Sequence, residues 1–144
     1  MGNHILVHRQ IGGLNMIDRF IFRGKRLDKD KWATGNLIQI QRDLYTEFMV
    51  NGDLIISDTL GQCTGLKDVN EKLIFDGDVI DFIEFDSGRG CGTQQRGVVK
   101  FGIYEWEIWI LNDSVKGFTL GFIYENDDTL EIIGNVVDNP ELLT

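Results

Sequence analysis

The sequence predicts a mainly β protein, on three observations. Seventeen of its 144 residues are glycine, which implies many turns and therefore many short strands. No window of a dozen residues carries a convincing 3.6-residue apolar period. Short β-favouring runs recur along the chain, and an Asn-Gly pair at 51–52 sits between two of them.

The first fifteen residues, "MGNHILVHRQIGGLN", read differently from the rest. They hold both histidines, His4 and His8, and a Gly-Gly pair. A strand is expected at residues 5–8. Met16 is read as an alternative start, which makes residues 1–15 an extension that adds little to the core.

Residues 18–43 read as a hairpin. Phe20, Ile21 and Phe22 form its apolar entry, residues 23–31 a polar connection, and residues 32–41 its return, with Leu37, Ile38 and Ile40. Arg23, Lys25, Arg26, Lys29 and Lys31 alternate with Asp28 and Asp30, the mixture of a solvated loop rather than of a phosphate patch. Around Asn51-Gly52 a two-residue loop sets Val50 opposite Asp53, Phe48 opposite Ile55 and Thr46 opposite Ser57.

In "GQCTGLKDVNEKLIFDGDVI", residues 61–80, Gly65 and Gly77 permit backbone turns. Leu66, Ile74 and Phe75 are the anchors to a core, and the polar residues between them face water. Four strands are expected after it. Residues 79–85 are mostly apolar. Residues 98–111 alternate, with Tyr104, Trp106, Ile108 and Ile110 on one face and Glu105 and Glu107 on the other. Residues 118–125 place Phe118, Leu120, Phe122 and Tyr124 together, and residues 130–137 return after a turn at 126–128. Asn139 and Pro140 are the cap and first position of a terminal helical turn. Strands this closely spaced suggest a small antiparallel barrel or sandwich, not βαβ units.

Charge and composition narrow the function classes. The formal net charge is -9 and the pI about 4.6, which argues against general nucleic-acid binding. Residues 1–46 hold eight Lys/Arg and four Asp/Glu, a net of +4, while residues 47–144 hold six and nineteen, a net of -13. Either the two parts of one molecule attract each other, or neighbouring subunits meet head to tail. No apolar run approaches membrane-spanning length, and Cys63 and Cys91 are expected to be free thiols in a cytoplasmic protein.

The constellations that resemble chemistry are incomplete. "DSGRGCGTQQRG", residues 86–97, lacks the Gly-Lys-Ser/Thr of a phosphate loop and reads as a mobile hairpin loop, in which Arg89 and Arg96 are candidates for contact with a partner. Cys91 has no histidine nearby in sequence to activate it. Asp76, Asp78, Asp81, Glu84 and Asp86 lack calcium-loop spacing and read as a surface cluster. Glu105 and Glu107 are what a half-exposed strand carries. With both histidines in the first eight residues, no Ser-His-Asp or Cys-His set is available outside the extension. The expectation is therefore no catalytic residues, no metal and no cofactor.

Two separated motifs are specific. Thr64-Gly65-Leu66-Lys67-Asp68, Asn70, Lys72, Ile74 and Gly77-Asp78 form the first, and Ile133-Gly134-Asn135 with Asn139-Pro140-Glu141-Leu142-Leu143 the second. Together with Phe22-Arg23-Gly24-Lys25 and Trp32…Gly35, they make the chain from Met16 onward resemble the YopX-like family of phage and prophage proteins. Glu71 stands where that family usually has glycine, and Cys63 where it often has tyrosine. The resemblance implies an SH3-like small barrel in the C-terminal part, self-association of the kind ascribed to some members, and no catalytic residues to carry over. The expected organisation is an extension at 1–15, a β-hairpin region at 16–64 and an SH3-like barrel at 65–144. In that barrel Gly77-Asp78 would turn the chain into the first long strand and residues 132–137 would close it.

The function expected on these grounds is that of a non-enzymatic phage or prophage accessory protein. It would act through contacts with a phage or host protein and as a homo-oligomer. The alternative is a small-barrel nucleic-acid-binding module, in which Arg89, Arg96 and Lys100 meet phosphates and Phe101, Tyr104 and Trp109 stack on bases.

Overall fold

The computed structural model describes residues 16–86, 88–111 and 117–144, so the expected extension, its strand and both histidines lie outside the described residues. Twelve strands and one α-helix are described, and the protein is mainly β. After a 3-10 turn at Met16–Phe20 come β1 (Phe22–Lys25), β2 (Trp32–Gly35), β3 (Leu37–Gln41), β4 (Thr46–Val50) and β5 (Asp53–Leu54). A second 3-10 turn at Ser57–Thr59 leads to β6 (Gly61–Lys67), β7 (Leu73–Phe75), β8 (Asp78–Asp86), β9 (Cys91–Phe101), β10 (Trp106–Ile110) and β11 (Gly117–Thr119). Helix α1 (Leu120–Asn126), β12 (Glu131–Asn135) and a 3-10 turn at Pro140–Leu143 complete the chain. Three antiparallel sheets result, in the orders β2-β1-β6-β7, β3-β4-β5 and β11-β10-β9-β8-β12.

The Asn51-Gly52 hairpin forms in the expected register. Val50 pairs with Asp53, and the Ile55 N–H donates to the Phe48 carbonyl at 3.1 Å. Both loop residues have positive φ, 52° and 84°, as this tight hairpin turn requires. The pairing stops early, however. β5 ends at Leu54, Ile55 crosses to bridge Arg26, and Ser57 opens a 3-10 turn instead of facing Thr46. The preceding hairpin is tighter than the charge pattern suggests. Residues 23–25 belong to β1, paired with β2 from Phe22↔Gly35 to Lys25↔Trp32, so the polar connection is only residues 26–31.

β6 carries the chain from one sheet arrangement to the next. It pairs with β1 through Gln62↔Phe22 and with β7 through Cys63↔Phe75, so the expected boundary at 64/65 falls inside a strand. Gly65 and Gly77 have φ of 86° and 89°, and β8 starts at Asp78, directly after the second of these turns.

Three further expectations are corrected. The glycine-rich run is not a loop from 86 to 97, because β9 begins at Cys91 and pairs residue for residue with β8, from Cys91↔Asp86 to Val98↔Val79. Residues 98–111 are not one strand. The chain turns at residues 102–105, where the Gly102 N–H donates to the Glu105 carbonyl at 2.7 Å, and returns as β10. Trp106, Ile108 and Ile110 keep their shared face, but Tyr104 and Glu105 fall in the turn, so Glu105 and Glu107 do not share a strand face. Residues 118–125 form a short strand and a helix instead of one strand, because Leu120 and Ile123, three apart, both reach the core. Burying each is worth about 1.5–3 kcal/mol, more than the β preference of Phe122 and Tyr124 on the exposed side.

The main core lies between the five-stranded sheet, α1 and the β6–β7 hairpin. Ile74, Ile80, Phe82, Val99, Ile108, Leu120, Ile123 and Leu130 are buried there, and Phe82 meets Phe118 edge to face at 5.6 Å. A smaller core under the three-stranded sheet holds Ala33, Val50 and Ile55. The last strand is shorter than residues 130–137. At its end Asn135 Oδ1 accepts the Val137 and Asp138 N–H groups and forms a turn. Asn139 and Pro140 hold the expected cap and first positions of the terminal turn, but the Asn139 Oδ1 accepts the Asn135 N–H rather than an N–H of that turn.

Candidate partner-binding site

Acidic side chains expected on the surface are partly interior. Asp68, Asp78 and Asp127 are buried, and each holds backbone groups that would otherwise be unsatisfied. Asp68 accepts from the Asn70 and Lys72 N–H groups at 2.9 Å and, through its other oxygen, from Ile132 N–H at 3.0 Å. It therefore does not face water, and it joins the first sequence motif to the strand that carries the second. Asp127 accepts from Ile83 N–H and from both the N–H and hydroxyl of Thr129. Asp78 is 1% exposed, accepts from Phe75 N–H at 2.8 Å and pairs with Arg23 at 2.7 Å. Burial pushes its carboxyl up, against the pull of Arg23.

Other motif residues are placed by similar local contacts. The Thr64 hydroxyl accepts the Leu66 N–H, Lys67 pairs with Leu73, and Asn70 reaches Glu131. Gly134 has no room for a side chain, since a Cβ there would lie 2.6 Å from Asn139 Oδ1 and 2.8 Å from Leu142.

The basic N-terminal part is spent on the acidic C-terminal part of the same chain. The Arg23 guanidinium lies between the Trp32 and Phe75 rings, at 4.7 and 4.8 Å, and binds Asp78. Lys25 pairs with Asp138 and Asp30, both at 2.8 Å, and the Trp32 indole N–H donates to Asp138 at 2.7 Å. The hydrogen bonds that Lys25 donates to the Asp138 and Asp30 carboxylates push its ammonium up. Partial burial works against Asp138, yet the bonds from Lys25, Trp32 and Asn135 hold its carboxyl below the usual carboxylate range. This is attraction within one molecule, the simpler of the two readings of the charge asymmetry.

The residues of the nucleic-acid reading are not brought together. Arg96 binds Asp81 through two bonds of 2.7 and 3.0 Å. In the ladder, Lys100 faces Glu107 and Val98 faces Trp109, so Lys100 and Trp109 lie on the sheet face opposite to Phe101. Arg89 stands at the far end of the β8–β9 hairpin from Tyr104.

What the fold does assemble is an open cleft of about 520 Å3 walled by aromatic side chains. Phe101 ends β9, Tyr104 forms the tip of the following turn, Trp106 begins β10, and Tyr124 comes from α1. Phe101 and Trp106 pack edge to face at 5.2 Å. Tyr104 is 90% exposed and Phe101 56%, with Ile103 exposed between them. Arg19, from the first 3-10 turn, closes one side, and its buried Nε has no hydrogen-bond partner among the described residues. Glu105, held by the Thr119 hydroxyl at 3.0 Å, and Glu125 form the acidic rim. Sequence reading found Phe101 and Tyr104 but missed Arg19, Trp106 and Tyr124. They come from separate elements, and Tyr124 enters the cleft only because its segment is helical. The 120/123 apolar spacing was the available signal.

Cys63 is buried and its thiol is pushed up by burial, whereas Cys91 is exposed at the start of β9. Among the described residues no group of three or more His, Cys, Asp or Glu side chains could hold a metal ion. No helix among them is long and apolar enough to cross a membrane.

Comparison with known proteins agrees with the motifs. A family model described as YopX protein matches residues 17–144. A crystal structure of protein EF1440 from Enterococcus faecalis is similar at 19% identity and a TM-score of 0.45, covering 85% of this chain and 96% of that one. No curated protein matches the chain.

Proposed function

Because the chain belongs to the YopX family, we propose that it is a non-enzymatic phage or prophage accessory protein, working in the bacterial cytoplasm through protein contacts, among them contacts with its own copies. The observation that carries this reading is the exposed aromatic cleft. Single exposed apolar residues are ordinary, but Phe101 and Tyr104 are both exposed at one cleft, which Trp106, Tyr124 and Arg19 also line. Aromatic anchors beside an arginine are the side chains that dominate protein–protein contacts. The burial of Asp68, Asp78 and Asp127 against backbone groups supports a structural rather than a chemical use of these carboxylates.

Replacing Tyr104 with a photoreactive phenylalanine derivative tests this reading in an induced host. The expected result is a discrete cross-linked protein that disappears when Phe101 and Trp106 are also changed to alanine. The same preparation should leave short single- and double-stranded DNA unshifted at low salt and micromolar protein. A shift without any protein adduct would replace this reading with the nucleic-acid alternative, which the exposed rings of Phe101 and Tyr104 would then serve by stacking.

A further inference from the structure

From the free edge of β3 we infer a surface through which two copies of the chain pair as strands, an inference that rests on the self-association part of the proposed function. β3 is an outer strand of its sheet, joined among the described residues only to β4. The hairpin bonds fix which way its backbone faces. Arg42 N–H donates to Tyr45 O at 2.8 Å, and Asn51 N–H to Asn36 O at 3.0 Å. In an antiparallel ladder that alternation turns the N–H and C=O groups of residues 36, 38, 40 and 42 toward β4. Those of Leu37, Gln39 and Gln41 turn outward, where no strand among the described residues lies.

Edge strands usually carry a guard such as a lysine, a proline or a bulge. "LIQIQ" has none, and its five-residue ladder to β4 is regular. Leu37 packs on the small core, so by alternation Ile38 and Ile40 lie on the other face, with Met49 and Leu54 beside them across the ladder. Ile38 is 53% exposed.

The strand is complementary to itself. Its outward groups at 37, 39 and 41 are symmetric about Gln39, so an antiparallel copy centred there matches every donor with an acceptor. Ile38 then faces Ile40 of the second copy and Ile40 faces its Ile38, which brings four isoleucines together on one face. The flanks agree, since Arg42 meets Asn36 and Asp43 meets Gly35, and no like charges confront each other. A second copy satisfies this edge with its own sequence, and the product is a six-stranded sheet with a two-fold axis at Gln39.

The test uses the full chain with Cys91→Ser as background. Gln39→Cys should give a reducible disulfide dimer under mild oxidation, and Gln41→Cys, which faces Leu37 of the other copy, should not. Gln39→Pro removes an outward N–H that makes no bond within the sheet. By light scattering across a concentration series it should raise the dimer Kd at least about tenfold while thermal unfolding of the monomer stays close to the parent. Ile38→Lys, whose side chain points to solvent, should do the same and serves if the proline variant misfolds. Oligomers that persist unchanged in both variants, with no cross-linked dimer from Gln39→Cys, would overturn this surface and leave self-association standing. A parent chain that is monomeric at every concentration would overturn both, leaving only the cleft to act on other proteins.

Discussion

β12 and β3 are both outer strands, and they are treated in opposite ways. β12 is covered, because Asp68 accepts the Ile132 N–H and the Val69 N–H donates to the Leu130 carbonyl, so the loop between β6 and β7 lies along its edge. β3 has no such cover among the described residues. The cores beneath them differ likewise: among the described residues eight buried side chains lie under the five-stranded sheet and three under the small one. The difference teaches where the chain invests its carboxylates. Asp68, Asp78 and Asp127 close the large sheet onto its neighbours, and the small sheet, which none of them touches, keeps an edge and an apolar face uncovered among the described residues.

The largest effect should come from breaking the joint between the basic and acidic parts. Asp78→Ala leaves the Arg23 guanidinium, only 13% exposed, without its counterion, and the Phe75 N–H without its acceptor. Removing one partner of a buried pair costs about 3–5 kcal/mol, which urea unfolding would register as a lower midpoint. A loss below about 1 kcal/mol would mean that the two rings around Arg23, and not Asp78, hold it. Asp68→Ala comes next. It strips acceptors from three N–H groups, for a loss of about 1–3 kcal/mol. It also turns β12 into an edge like β3. Hydrogen exchange should therefore rise at Ile132, Asn70 and Lys72 while β3 and β4 are unchanged.

A smaller effect depends on pH. The Asp138 carboxyl is held below its ordinary value, so the unfolded chain takes up its proton first on acidification. The stability that Asp138 contributes is fully present above the ordinary aspartate value of about 3.9 and is lost as pH falls through its lower folded value. Asp138→Asn should therefore be less stable than the parent at pH 7, by less than about 1 kcal/mol since the site is partly open to water, and equal to it in strong acid. Asp78 runs the other way. Its raised carboxyl means that the native state holds the proton more tightly, and its contribution declines as pH rises from the ordinary value through the folded one.

Much of the covered region was legible, and the reasons are local. Asn51-Gly52 and Gly77-Asp78 announce themselves because the backbone there needs positive φ, and few residues supply it at low cost. The alternation of Trp106, Ile108 and Ile110 is legible because one sheet face is core. Other features were not. At the turn of 102–105 the residues give only one weak mark, Gly102, while Tyr104 continues the face of Trp106, Ile108 and Ile110, and pairing with β9 decides the break. The seven residues of α1 are too few for a period to emerge and are rich in β-favouring aromatics. The cleft was half legible, because Arg19, Trp106 and Tyr124 meet Phe101 and Tyr104 only through contacts far apart in sequence.

The finest test of how the β12 cover is built lies at Glu71. The β6–β7 loop is closed by Glu71 N–H to Asp68 O at 3.0 Å and Asp68 N–H to Lys72 O at 2.8 Å. Glu71 itself has φ of 64°, and it is the residue at which the related motif usually has glycine. A side chain in the left-handed region costs about 1–2 kcal/mol, whereas glycine enters it freely but loses about 0.5–1 kcal/mol more backbone entropy on folding. The Glu71 side chain is exposed and makes no bond among the described residues that would offset the strain. Glu71→Gly should therefore stabilise the protein, by up to about 1 kcal/mol and with an unchanged urea slope. Glu71→Ala, which keeps the Cβ, should not. If alanine stabilises as much as glycine, the strain is not in the backbone. The gain would then come from removing a negative charge beside Asp68 from a chain that already carries -9.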